Sequence, residues 1–359
     1  MIVRLLLLLS VIGGLAGCKP TNPYYDPAKP HHHEAGFVNP RSSNEAPSWR
    51  DHLALWSHVF SNTDPSPKTP LEALPIDAEL LKSHSAGVRV TWIGHATLLI
   101  QAGGFNLLTD PHFSDRAWPR WLGGPLRWHR PGIAVEDLPP IHAVVISHNH
   151  YENLDLATIR QLTRQQAGPP VFLLPLGVDV WFRLNVPEAT ELRVLDWEGE
   201  AALAGVEFRL VPVKHSSGRG LFDHNQTLWG GWVVDFKQPD FRLFFAGDMA
   251  YSADVLQFGE RYGPFDLAAL PIGGYQPRWR MRAERMNPTE AVQIFRRLDA
   301  AYGLGIAWGT FPVTDHRLDE PLIALERAKQ YASVPDDIFF TLRQGETRLW
   351  KNKAWHPFP

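Results

Sequence analysis

Cysteine is nearly absent. Cys18 is the only one in 359 residues, so no internal disulfide is available to hold the fold. Excess positive charge is missing as well: the net charge is −3 and no basic block is visible, which removes the electrostatic footprint expected of a nucleic-acid binder. The apolar run Leu5–Leu15 falls short of the ~20 residues that a membrane-spanning helix needs. No repeat at a solenoid or propeller period is present either.

What remains is the composition of a folded soluble protein, 44% hydrophobic and 20% charged, long enough for one large domain or two ordinary ones. Several of the tryptophans (Trp118, Trp121, Trp128, Trp279) stand beside Arg, Gly or Pro. They fit either core and rim packing or an aromatic surface. At the N-terminus, Arg4, the apolar run and Leu15-Ala16-Gly17-Cys18 read as a secretory signal over residues 1–18. A lone cysteine there resembles a bacterial lipobox, with Cys18 as the lipidated residue. Lys19 after it, rather than aspartate, favours an outer-membrane anchor facing the periplasm, the acyl chains supplying the membrane affinity.

Residues 19–48 are rich in Pro, Asn, His and Ser without apolar periodicity, and are expected to form a flexible tether or an arm lying over the domain. The triple histidine His31-His32-His33 lies in it and is given no catalytic role, since a loose arm organises no geometry. Residues 49–359 are expected to be one domain. From Val88 onwards many β-type runs alternate with few helices, and Gly103-Gly104 reads as a tight hairpin turn. DLATIRQLTRQQ, NPTEAVQIFRRLD and PLIALERAKQYA read as helices, with Asn287, Pro288 and Glu290 set as a capping box. IFFTLRQGETRLW reads as a closing hairpin. Many strands with few helices predict two sheets with helices outside, an αββα sandwich.

The chemistry lies at strand ends. In VVISHNHYENLD, His148 and His150 stand two apart at a strand exit, so both imidazoles aim to one side. His215 ends VEFRLVPVKH and Asp248 ends FRLFFAGD. Three imidazoles and one carboxylate make a metal site with a position left for water. Zinc is the first expectation, although imidazole plus carboxylate also accepts iron or manganese.

The motifs GFVNP, TWIGHATLLIQ, LLTDPHFSDRAWP, ISHNHYENLD, LWGGW, FFAGD, LPIGGYQPRW, MNPTEAV and WGTF, in this order, resemble the metallo-β-lactamase superfamily. Within it they are similar to the N-acyl-phosphatidylethanolamine-hydrolysing phospholipase D branch, from about Gly36 to the C-terminus. The resemblance implies the αββα fold, a two-zinc centre and phosphodiester hydrolysis of membrane phospholipids. It assigns His148, His150, His215 and Asp248 to the first metal, with Asp248 shared by both. The remaining second-metal positions carry Glu152, Asn153 and Ala307 instead of Asp, His and His, and Arg285 stands where active members carry histidine. One bound metal and an empty second site are therefore expected. His112 and His316 are the nearby histidines available as replacements.

Two readings follow. In the first, the chain is a one-metal hydrolase acting on a lipid phosphodiester, with Asp248 and Glu152 as catalytic carboxylates. In the second, it is a catalytically silent, lipid- or partner-binding envelope protein. Asp110 and His95 are placed as supports that orient the ligating imidazoles. Arg278 and Arg285 are candidates for phosphate contact, because a guanidinium fork suits phosphate oxygens.

Overall fold

The computed structural model describes residues 22–39, 64–83, 87–220 and 222–358. The putting-together starts at the hairpin predicted at Gly103-Gly104. Both glycines have positive φ, 57° and 83°, and Ala102 pairs with Phe105 across them. That turn joins β4 (Thr97–Ala102) to β5 (Phe105–Thr109), and β4 pairs in turn with β3 (Val88–Gly94). On the far side of β5 run three parallel strands, β6 (Ala143–Val145), β7 (Val171–Pro175) and β8 (Leu192–Leu195). A second sheet is built from β9 (Glu200–Leu203), β10 (Val206–Val211), β11 (Gly231–Lys237), β12 (Asp240–Phe245), β13 (Phe265–Pro271), β14 (Ala300–Ile306) and β15 (Phe339–Thr341).

Alternation along β4 shows how the layers form. Leu98 and Ile100 face the second sheet and share one core with Phe208, Val234 and Leu243. Leu99 faces the other way, into a core with Leu108, Val144, Ile159, Leu162 and Phe182. A strand apolar on both faces must be covered on both. Here the second sheet covers one face, and the helices Leu156–Leu162 and Val178–Asn185 cover the other. Helices Pro288–Phe295 and Glu320–Ala332 flank the second sheet. The result is the expected αββα sandwich. The capping box forms as read: Asn287 Oδ1 accepts from Glu290 N at 2.9 Å, and Glu290 Oε2 accepts from Asn287 N at 2.8 Å. Among the described residues no helix is long and apolar enough to cross a membrane.

Two expectations are corrected. IFFTLRQGETRLW is not a hairpin. β15 joins the second sheet parallel to β14, whereas β16 (Thr347–Lys351) crosses to the first sheet and pairs with β3. Period-two apolar pattern marks both segments as strands but carries no information on which sheet receives them. The closing hairpin is instead β16 with β17 (Ala354–Pro357), turning at Asn352 and Lys353, both with positive φ.

The second concerns the tether. Of the two readings of this segment, residues 22–39 follow the arm lying over the domain and not the loose tether. β1 (His32–His33) and β2 (Gly36–Phe37) make a miniature hairpin, Phe37 is buried in the inter-sheet core, and Asn22 Nδ2 donates to Gly36 O at 2.8 Å. His31 Nε2 and His32 Nε2 meet the two oxygens of Asp196 at 2.7 and 3.0 Å, and Lys29 Nζ adds a third contact at 2.5 Å. Gly36, at φ 142°, is required here: a Cβ would sit 2.3 Å from Asn225 O. Polar pairing orders this segment, which is why hydrophobic periodicity missed it. The signal of residues 1–18 and Cys18 lie outside the described residues.

The Asp196 clasp is testable. Burial opposes ionisation of Asp196, but hydrogen bonds from His31 and Lys29 outweigh it and hold the carboxyl below its ordinary range. A depressed carboxyl contributes stability that is fully present above its unfolded value near ~4 and fades as pH falls through the folded value. Asp196→Asn should therefore cost about 2 kcal/mol at neutral pH and speed proteolytic cutting within residues 22–39. Unchanged cutting would remove the clasp as the cause of order.

Candidate metal centre

Each donor is delivered by the end of a strand. β6 ends at Val145, and the chain continues through Ile146 and Ser147 to His148 and His150. β10 ends at Val211, four residues before His215, and β12 at Phe245, three before Asp248. Two ligands thus come from each sheet and meet at the edge both sheets share.

His148, His150, His215 and Asp248 converge so that one donor atom from each lies within 4.8 Å of the others. His148 Nε2 is 2.9 Å from His150 Nδ1, and His215 Nε2 is 3.3 Å from His148 Nε2 and 3.4 Å from His150 Nδ1. Four donors held tetrahedrally at ~2.05 Å from a zinc ion are about 3.3 Å apart. Direct hydrogen bonding does not account for the 3.3 Å approach of His148 to His215, because the second nitrogens of these two rings already hold the protons. His215 Nδ1 donates to Glu284 O at 2.8 Å, and His148 Nδ1 donates to Ser147 Oγ at 2.8 Å. Their Nε2 atoms are left with lone pairs pointing inward. Asp248 completes the set with a buried carboxylate, Oδ1 without a partner and Oδ2 ion-paired to Arg285. The donor set fits one divalent cation.

Burial, then the neighbouring imidazoles, hold His148 well below the ordinary histidine range, and burial likewise lowers His150 to about 4. All three rings are therefore neutral and ready to ligate at neutral pH. Burial pushes the Asp248 carboxyl up, with the nearby Arg285 charge only partly compensating.

The supports differ from the sequence-based expectation. Asp110 reaches no imidazole directly. Its oxygens accept from Ser147 N at 2.7 Å, Ser147 Oγ at 2.5 Å and Asn153 Nδ2 at 3.0 Å, so it acts on His148 through Ser147. Ser147 was not foreseen, nor was Glu284, whose carbonyl fixes His215. Gly247 is the local signal for Ser147: a Cβ there would stand 2.4 Å from the Ser147 Cβ. Asn39, from the arm, brackets His215 by accepting from its N–H at 3.2 Å and donating to its C=O at 2.8 Å. The LWGGW segment is a second buttress. Trp229 Nε1 donates to Val213 O and Trp232 Nε1 to Ile146 O, both at 2.9 Å, and Gly230 N donates to Ser147 O. Ser147→Ala should break the Asp110–Ser147–His148 chain and weaken metal binding roughly 10–100-fold, read as the chelator concentration that strips half the metal. Unaltered affinity would leave Ser147 without a role.

His95 is buried with Nε2 unpaired, and burial lowers it to about 3; it bonds no ligating ring. It shapes the neighbouring loop instead, its N–H donating to Thr310 Oγ1 and its C=O accepting from Ala307 N. Arg278 is corrected from a phosphate contact to a brace: Nη2 holds both oxygens of Glu290 at 2.8 and 3.0 Å, and Nη1 donates to Arg285 O. Neither spare histidine replaces a ligand. His316 accepts from Gly274 N and donates to Arg317 O, and His112 faces Ala117 O and Arg127.

The second-metal positions are poor in free donors. Asn153 has its amide nitrogen bound to Asp110, which leaves its buried Oδ1 as the one unpartnered oxygen there, and Ala307 packs in the core with no side-chain donor. Glu152 faces Arg285 Nη2 at 3.0 Å, and the same nitrogen lies 2.5 Å from Asp248 Oδ2. The fields of His150 and Arg285 outweigh burial and hold the Glu152 carboxyl down to about 2.

Residues 105–308 match the β-lactamase superfamily domain. The chain is 33% identical over 348 residues to N-acyl-phosphatidylethanolamine-hydrolyzing phospholipase D 1 of Caenorhabditis elegans, covering 90% of this chain and 94% of that one. The chain belongs to the metallo-β-lactamase superfamily. It is also 29% identical to the mitochondrial N-acyl-phosphatidylethanolamine-hydrolyzing phospholipase D of Saccharomyces cerevisiae, over 79% of this chain and 63% of that one. In fold it matches Igni18, a metallo hydrolase of Ignicoccus hospitalis, with a TM-score of 0.53 at 21% identity over 76% of this chain and 99% of that one. The chain is a metal-dependent hydrolase of that fold, with a cluster of His148, His150, His215 and Asp248 able to hold a metal ion.

Proposed function

We propose that this metal-dependent hydrolase is a phosphodiesterase acting on membrane phospholipids of the N-acyl-phosphatidylethanolamine type, with one metal ion, zinc by preference, per chain. The convergence of three neutral imidazole nitrogens on the buried Asp248 carboxylate carries the reading. A divalent cation held by His148, His150, His215 and Asp248 supplies Lewis acidity and lowers the pKa of a water it binds. The chain supplies the rest. His148 and His215 are held in the ligating tautomer by Ser147 and Glu284, and Asp248 and Glu152 provide the carboxylates that orient water. Water oxygen bonds to phosphorus as the phosphorus–oxygen bond to the N-acylethanolamine breaks, and the proton water loses ends on the departing oxygen, giving phosphatidic acid and N-acylethanolamine.

Its relatives support the lipid substrate, and so does an exposed apolar surface. Trp121, Leu122, Leu126 and Trp128 stand exposed on one loop, and Trp128 N bonds Thr310 O, tying that loop to the one that also carries Ala307. Aromatic and aliphatic side chains beside arginines suit a headgroup boundary. A lipid anchor at Cys18, placing the protein in the cell envelope on the outer membrane facing the periplasm, belongs to the same proposal, since it would bring the centre to its substrate.

Vesicles containing N-acyl-phosphatidylethanolamine, incubated with protein carrying one equivalent of metal, should yield phosphatidic acid and N-acylethanolamine. Metal-loaded protein that turns over neither these vesicles nor soluble phosphodiesters would favour the silent, ligand-binding reading.

A further inference from the structure

We propose that Arg285 is the second cation of this centre: its guanidinium takes the place of a second metal ion between Asp248 and Glu152, and offers its free N–H donors to the phosphoryl group of the substrate. Three observations carry this. The two carboxylates that would face a second metal both face Arg285 Nη2, at 2.5 Å for Asp248 and 3.0 Å for Glu152. Arg285 is only 4% exposed, so these contacts are screened little by solvent. Its Nη1 is buried with no partner. A buried guanidinium nitrogen without an acceptor is costly unless an anionic group completes it.

The surroundings are built for this side chain. Gly274, at φ 70°, leaves the space it fills: a Cβ would stand 2.8 Å from Arg285 Nη1 and 2.9 Å from its Cδ. Arg285 N–H bonds Met281 O at 2.7 Å, and its C=O accepts from Arg278, itself clamped to Glu290. The arm of the guanidinium is thus fixed before substrate arrives, which is the condition for stabilising charge that develops during reaction. Seen this way, Glu152, Asn153, Ala307 and Arg285 form one exchange. Ligands that would hold a metal are gone, the carboxylates remain, and a permanent positive charge balances them. Unlike an ion, it does not exchange and does not depend on metal supply.

This inference rests on the phosphodiesterase reading for its catalytic half only; the metal-binding half stands apart from activity. The experiment measures zinc per chain and zinc affinity by elemental analysis and calorimetry, then hydrolysis of a soluble phosphodiester, for the full chain and for Arg285→Gln and Arg285→Lys. The native chain should bind one equivalent even with zinc in large excess. Arg285→Gln removes the competing charge, so it should bind the first zinc at least tenfold more tightly or take up a second equivalent. Its zinc-loaded rate should fall about 100-fold or more, the effect of losing one preorganised donor. Arg285→Lys keeps the charge and should keep the single equivalent, while the lost fork lowers its rate. Two equivalents in the native chain would overturn the proposal. So would an Arg285→Gln protein whose zinc binding is unchanged, or whose loaded rate stays within threefold of native. If no variant or native protein hydrolyses any phosphodiester, the function reading fails, and the zinc isotherms still decide whether Arg285 is the second cation.

Discussion

His215→Ala should leave a folded protein that no longer holds its metal. The substitution removes one of three nitrogen donors, and the loss should exceed the roughly 10–100-fold that a missing supporting partner costs. Hydrolysis should fall at least in step, because the remaining donors no longer position the cation. Folding should survive for local reasons. Asn39 brackets the backbone of residue 215 on both its N–H and C=O, and Lys214 pairs with Ala250, so the main chain has no cause to move. Metal also stabilises the native state by mass action, about 4 kcal/mol when free metal is 1,000 times its dissociation constant. Adding metal should therefore raise the Tm of the native chain and barely move that of His215→Ala. A variant that keeps a full equivalent and a metal-dependent Tm would place the cation somewhere other than among these four donors.

The next largest effect is expected at Trp232, which is far from a ligand in chemistry yet adjacent to one in structure. It lies on β11 of the second sheet, is fully buried, and sends its Nε1–H across to Ile146 O, two residues before His148. Trp232→Ala should cost about 3–5 kcal/mol through lost burial and the cavity it leaves. Trp232→Phe is more informative. It keeps most of the apolar area but leaves the Ile146 carbonyl without its partner, at about 1–3 kcal/mol. The same loss frees the segment that aims His148 and His150, so metal affinity should fall along with stability. Urea unfolding with chelator present, followed by metal titration, separates the two. If Trp232→Phe changes neither, the bond between the sheets contributes nothing to the centre.

These expectations draw on features that differ in how far they were readable in advance. The spacing of His148 and His150 was legible because a strand repeats every two residues, and Asn287 with Glu290 because a capping box closes within one helical turn. Arg285 was recognisable as a departure from the superfamily pattern, but its partner was not: Glu152 lies 133 residues away. The same holds for Arg278, which looked available for phosphate and is spent on Glu290 and a carbonyl. The arm misled for a different reason. Its order comes from Asp196, Asn22 and Asn39, whose contacts leave no periodic trace.

The chain by itself determined the strands, the Gly103-Gly104 turn and the capped helix start at Asn287, since each of these follows from residue types within a few positions of one another. Only the tertiary structure decided that β15 and β16 part to different sheets, that the arm closes over His215, that the four donors meet, and that the Arg285 guanidinium lies between Asp248 and Glu152. Those outcomes depend on which distant groups burial forces together, and a buried charge takes its partner from whatever the packed sheets bring within reach.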